Sequence, residues 1–319
     1  LSMTSFRGLA RETLRQATIQ CQRLMFDWEP ADPDLSSLRD RLSTAKSGYS
    51  FVTDPANGLD DAYLDLFMRA CTSSIDGMLK SRGQGQNLWD TKAAQAYLDA
   101  HDASLKTIMV LCYLDSGQAA RISELLTIEY CNTASRLRGI GIYGMSLFSI
   151  TRHQKARLTT NNEFQVARFF SPPVARLLFR YLVYIRPIAY TILRKYFHHE
   201  STNTLLFAPI SRYSRDSSWS TKTFSEELKR ISRIVPGIPS EIGVQLYRQL
   251  SIAITEKHVR GAASAFNRFD DTTNTASEDA AFAWQSGHRL MQRYSTYGLD
   301  GAFPDRLQPA LLRIYARIS

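Results

Sequence analysis

The sequence predicts an α+β fold dominated by helix, and three observations predict it. Apolar side chains recur at helical spacing through residues 1–80. Three short alternating segments, IGIY, SLFSI and FQVARFF, fall between residues 139 and 170. Helical spacing returns after Pro172 and Pro173. Helices, a small antiparallel sheet, then more helices make a mixed plan and not an alternating one.

Taken in order, Thr4 to Phe26 carries Phe6, Leu9, Leu14, Ile19 and Leu24, and Pro30 and Pro33 stop it. Asp34 or Ser36 is placed to cap a short second helix through Leu42. Ser47 to Gly58 reads as a loop. Asp60 to Lys80 is a third helix, with Leu64, Phe67, Met68, Cys71 and Ile75 on one side. SRGQGQN, residues 81–87, is a linker. Lys92 to Asp115 forms one or two helices, SGQAA a turn, and Arg121 to Ile128 another helix. The three strands follow, divided by Gly144 and by the polar stretch Thr159–Asn162. A long helix then runs to about Tyr196. Ser220–Ser232, Ser240–Lys257, Ala276–Ser286 and His288–Tyr297 complete the helical set. The linker divides the chain into residues 1–88 and 89–319, and there is no internal repeat.

A chain of 319 residues can bury one large or two medium cores. No apolar run approaches the roughly 20 residues of a membrane span, and the N-terminal stretch lacks the apolar region of a secretory signal. Position 1 is Leu, so a piece of a longer chain is expected. Cys21, Cys71, Cys112 and Cys131 show no paired spacing and read as reduced thiols of a cytosolic or nuclear protein.

Charge is unevenly spread. Residues 1–100 carry 11 basic and 13 acidic side chains, whereas residues 101–319 carry 28 and 17. The formal net charge of +9 therefore sits in the second part, and a polyanion is the partner it suits. Two stretches there interleave basic side chains with aromatics: Thr151–Arg157, with Arg152, His153 and Arg157, and Arg212–Arg233, with Arg212, Arg215 and Lys222. Both are candidate phosphate-contacting surfaces.

Four segments carry candidate chemistry: ARISELL around Arg121, TRHQK ending at Lys155, QLYR ending at Arg248, and GHRLMQRYSTY from His288 to Tyr297. Cutting a phosphodiester without a metal takes a nucleophile, cationic donors for the non-bridging oxygens, and an acid for the leaving oxygen. Guanidinium suits the second task because it stays charged and binds phosphate bidentately. Arg121 also reads as a surface partner of Glu124, three residues on. Lys155, in a hairpin, also reads as a solubilising tip. Arg248 lies among apolar neighbours and needs a carboxylate or an anion; Gln245 is one turn earlier and can donate to the same group. Tyr294 competes with Tyr297 as nucleophile. His198, His199 and Glu200 read as a polar helix end, and Asp270, Asp271, Glu278 and Asp279 as a solvated loop, so no metal is expected.

In their order and spacing these boxes resemble the tyrosine recombinase superfamily. ARISELLTIEY is similar to its first box, an arginine followed three residues later by an acidic residue. QLYRQLSIAITEKH is similar to the second, and GHRLMQRYSTYG to the third, where a histidine precedes the tyrosine by nine residues. GQAARISELL, ITRHQK, VARFFSPPVARLLFRYLVYIRP and LYRQLSIAI further resemble the Crypton-type recombinases of fungal mobile elements. The likeness covers most of residues 90–300.

The resemblance implies a helical core-binding domain over 1–88 and a catalytic domain over 89–319, clamping duplex DNA. Tyr297 would form a 3′-phosphotyrosyl bond. Arg121, Arg248 and His288 would hold the phosphate, Lys155 would be the acid, and Glu124 would support the site. No cofactor is implied. The partners would be duplex DNA and further copies of the chain, a tetramer in the synapse and a monomer when free, in the nucleus. Gln245 stands where the family has histidine, and Gln249 follows Arg248 where a second histidine is usual. A DNA-binding protein that has lost catalysis, or a type IB topoisomerase-like relaxer, are the alternatives.

Overall fold

The computed structural model describes residues 2–72, 77–79, 90–153, 164–210, 218–238, 241–258 and 309–319. Its first helix, α1 (Met3–Leu24), starts where the Ser2 side chain accepts a hydrogen bond from the Ser5 amide. Leu9, Thr13, Ala17, Cys21 and Leu24 form its buried stripe, one turn apart. Phe26 and Asp27 adopt left-handed backbone (φ 51° and 55°) and turn the chain before Pro30.

No helix follows at residues 34–42. The Asp34 carboxylate accepts from the Ser36 amide and hydroxyl, closing a turn. The amides of Arg39 and Arg41 donate to the Asn57 carbonyl oxygen of its side chain and to the Tyr49 hydroxyl, not to carbonyls one turn back. Helix α2 (Tyr63–Thr72) starts three residues later than its apolar rhythm suggests.

Helix α3 (Thr91–Asp115) is a single helix, capped by Asp90 at the amides of Lys92 and Ala93. Every residue from Thr107 to Leu114 is buried, which makes α3 the central strut. Around it pack α1, α5 (Pro172–Arg180), α6 (Arg186–Phe197) and α7 (Thr221–Ile234). Between α5 and α6, Tyr181–Ile185 winds as a π-helix. Pro187 has no amide proton to give to a carbonyl one α-turn back, and the widened turn lies directly before it.

After α3, helix α4 is one turn only (Ile122–Leu125). The chain then leaves helical geometry because Ile128 and Tyr130 pair with the segment at 204–206, with Leu206 donating to Ile128 and Tyr130 to Thr204. Strands β1 (Ile140–Tyr143), β2 (Ser146–His153) and β3 (Phe164–Phe169) form an antiparallel sheet in that order. Gly144, at φ 63°, makes the tight β1–β2 turn. In the β2–β3 register Ser149 faces Arg168, Thr151 faces Val166, and Arg152 faces Gln165. Helix α8 (Val244–His258) and helix α9 (Pro309–Ile318) complete the described elements; α9, which packs on β3, was not expected from the sequence pattern.

One continuous cluster of buried apolar side chains runs from Leu9 to Tyr247, so it crosses the expected division at residue 88. Polar ties reinforce it. Asp40 pairs with Arg138, both buried, and also accepts from the Ile142 amide of β1 at 2.9 Å. Asn132 donates to the carbonyls of Thr44 and Lys46. The segment before α2 is thus fastened to the sheet edge.

Candidate functional site

The site is built on the C-terminal end of α3. There Tyr113 and Tyr247 lie with ring centroids 5.1 Å apart. The Tyr113 hydroxyl donates to the Val244 carbonyl at 3.3 Å, and the Tyr247 hydroxyl to the Leu114 carbonyl at 3.2 Å. Phe6 of α1 stacks on the far side of Tyr247, at 5.4 Å. These contacts fix the first turn of α8, and with it the next residue, Arg248.

The same end of α3 leads into the turn that delivers Arg121. Gly117 takes a left-handed conformation at φ 70°, and Gln118, Ala119 and Ala120 are buried behind it. Arg121 holds the position just before α4 in extended backbone. Its side chain is 31% exposed and pairs with Glu124 at 3.5 Å. Burial pulls its pKa below the ordinary arginine value; Glu124 pushes it back up, and the charge of Arg248 lowers it again. The arginine just before α4 thus feels the charge of the arginine in α8.

A third guanidinium, missed in the sequence, completes the cluster. Arg168 of β3 is 2% exposed. Its Nε donates to the Gln118 carbonyl at 2.8 Å and its Nη1 to the Thr151 hydroxyl. Burial pushes its pKa down to about 10, while Glu124, Tyr315 and Tyr113 favour its charged form and Arg248 opposes it. Tyr315 of α9 is fully buried near it, its hydroxyl shut off from solvent. A signal for Arg168 existed: a lone arginine inside the apolar run FQVARFF poses the same need for partners that singled out Arg248.

Other expected residues lie elsewhere. Gln245 is exposed and lines a shallow groove with Lys229, Glu241, Leu246 and Gln249, a groove that Arg248 does not line. Arg152 is half-buried and donates to the Arg138 carbonyl at 3.4 Å, on the side of β2 opposite Thr151. Lys222 is exposed on α7 and pairs with Glu226 at 3.8 Å. His153 pairs with Phe164 through the ladder at the end of β2. Lys155, Arg157, Arg212, Arg215, His288, Tyr294 and Tyr297 lie outside the described residues, as do the helices expected at 276–297. His198 ends α6 in left-handed conformation, in keeping with a polar helix end.

What the described cluster can do is hold an anion. Arg121 and Arg168 each feel both the Glu124 carboxylate and the Arg248 charge, and one carboxylate offsets only part of such a field. Guanidinium groups held rigidly in a partly dehydrated site are suited to phosphate oxygens. Comparison with protein-family models, with curated proteins and with solved structures finds no match to this chain.

Proposed function

We propose that this chain cleaves and rejoins DNA strands as a tyrosine-type site-specific recombinase, serving a mobile DNA element. The observation that carries the reading is that one end of α3 supports both Arg121, through the turn at Gly117, and Arg248, through the Tyr113–Tyr247 contact, two arginines chosen from separate sequence boxes. Like charges held at one end of a helix are unfavourable unless negative charge is shared between them. Glu124 supplies some, and a bound phosphodiester would supply the rest.

In this reaction the Tyr297 phenol gives up its proton to water as its oxygen attacks phosphorus and forms a 3′-phosphotyrosyl bond. The bond from phosphorus to the 5′ oxygen breaks, and that oxygen takes a proton from Lys155. Arg121, Arg248 and His288 hold the non-bridging oxygens as charge grows on them. Rejoining reverses each step, so no nucleotide triphosphate is consumed. Duplex DNA is the substrate and further copies of the chain, four at a synapse, are the partners; the nucleus is the compartment. The basic excess of residues 101–319 supports a polyanion partner.

One observation favours a second reading, a DNA-binding protein with weakened catalysis: Gln245 stands where the resembled family has histidine, and glutamine cannot transfer a proton. A single experiment separates the two. Nicked duplexes of randomised sequence are incubated with the protein and denatured in SDS. The recombinase reading expects an adduct that Tyr297→Phe abolishes and Tyr294→Phe keeps. Salt-sensitive binding without any adduct would move the assignment to the second reading, and an adduct lost only in Tyr294→Phe would move the nucleophile.

A further inference from the structure

We infer that Arg168 is a positioning residue for this cleavage, a buried clamp between the turn that presents Arg121 and the strand that leads to Lys155; the inference rests on the function proposed above. Arg168 lies within β3, opposite Ser149 of β2. Its Nε holds the Gln118 carbonyl, three residues before Arg121, and its Nη1 holds the Thr151 hydroxyl, four residues before Lys155. One planar group thus sets the spacing between two boxes that the sequence keeps far apart.

Packing alone does not account for an arginine here. The neighbours Ala167, Phe169 and Phe170 are buried, and an apolar side chain would fill the same place without dehydrating a charge. Nor is the choice of cation arbitrary. Guanidinium presents its donors in a rigid fork, so the directions to the two acceptors are locked together; an ammonium on a flexible stem fixes no such angle. The cluster also gives the charge a purpose. Glu124, which pairs with Arg121, also favours the charged form of Arg168, so one carboxylate acts on both guanidiniums. Arg168 is too deeply buried to reach DNA itself. Its effect passes through Gln118, Thr151 and Glu124.

The test uses Arg168→Lys, Arg168→Met and Thr151→Val in the full chain. Duplex affinity, thermal unfolding and the single-turnover rate of adduct formation on a nicked substrate are measured for each. Misplacing reacting groups by about 1 Å costs on the order of 100-fold in rate. The expected result is a 10- to 100-fold slower adduct step, on the order set by that misplacement, in Thr151→Val and Arg168→Lys. Duplex affinity should stay within about threefold, since phosphate contacts elsewhere are untouched. Arg168→Met should be slower than Arg168→Lys. Adduct formation at the wild-type rate in both Thr151→Val and Arg168→Lys overturns the inference. So does a loss of rate that tracks a parallel loss of unfolding temperature and duplex affinity, which marks a merely structural arginine. Absence of any adduct in the wild type instead overturns the recombinase reading, and this inference falls with it.

Discussion

Tyr113 and Tyr247 are locked to each other reciprocally: each hydroxyl donates to a carbonyl of the other's helix, and their rings lie 5.1 Å apart between those two bonds. Burial raises the pKa of both phenols, so neither ionises in the neutral range. The pair welds the end of α3 to the start of α8. Because the turn to Arg121 issues from that same end of α3, both arginines are referenced to one rigid platform.

Tyr247→Phe should therefore weaken the platform without emptying it. The ring stays between Phe6 and Tyr113, but the Leu114 carbonyl loses its partner. A lost buried hydrogen bond costs about 1–3 kcal/mol. Urea unfolding should show a loss in that range. Tyr247→Ala opens a cavity as well and should cost about 3–5 kcal/mol. Equal midpoints for wild type and Tyr247→Phe would mean that the hydroxyl contributes nothing.

Arg121→Ala and Arg248→Ala should each slow adduct formation by roughly 100- to 1000-fold, the usual loss on removing one anion-stabilising donor. Their double variant should lose far less than the product of the two, because groups that bind one phosphate act as a unit. Each single variant should also lower the slope of log affinity against log salt by about 1. Independent, multiplicative losses would show that the two arginines serve different sites.

Much of this arrangement was legible in the sequence, and the rest was not for identifiable reasons. Helices α1 and α3 and the three strands follow from periodicity, because burial on one face, or all round in α3, writes itself into apolar spacing. The pairing of Arg121 with Glu124 followed from their i, i+3 spacing. The helix expected at 34–42 failed because Asn57 and Tyr49, from a later loop, take the amides it needed. Arg168 was hidden by the strand pattern around it. Helix α9 left a usable signal in Pro309 at its first position and in Leu312 and Tyr315 three residues apart.

Stability should fall on mild acidification, and His101 is one cause. It is fully buried, with Nδ1 3.0 Å from the Asp102 carboxylate and Nε2 3.3 Å from the Tyr181 hydroxyl, and the Arg186 charge lies nearby. Burial pulls its pKa below the ordinary value of 6.5; Asp102 pushes it up but does not prevail, and Arg186 lowers it further. A base whose folded pKa is depressed stays neutral while the unfolded chain takes up a proton. The stability it contributes is thus complete above pH 6.5 and lost as pH falls below that value. The slope approaches about 1.4 kcal/mol per pH unit from this group alone. Urea midpoints measured from pH 7.5 downward should show the decline starting near 6.5, and His101→Gln should flatten that part of the curve. An unchanged curve in the variant would assign the decline to other groups.

The contact between Asp40 and the sheet edge makes Gly141 irreplaceable. A Cβ built at Gly141 would stand 2.8 Å from the Asp40 carboxylate, 3.1 Å from Leu42 and 3.2 Å from the Phe148 ring. Two of these are held in place. Asp40 is held by Arg138 and by the Ile142 amide, and Phe148 is stacked on Phe169 at 5.1 Å. Gly141→Ala should therefore destabilise by about 1–3 kcal/mol, the usual cost of overpacking. Asp40→Ala should cost more, about 3–5 kcal/mol, because it strands the buried Arg138 charge. Combining the two removes the Asp40 contact but leaves Leu42 and Phe148 against the new methyl group, and it leaves the charge stranded. The double variant should lose less than the sum of the two, and a fully additive loss in urea unfolding would show that closeness to Asp40 is not what makes Gly141 matter.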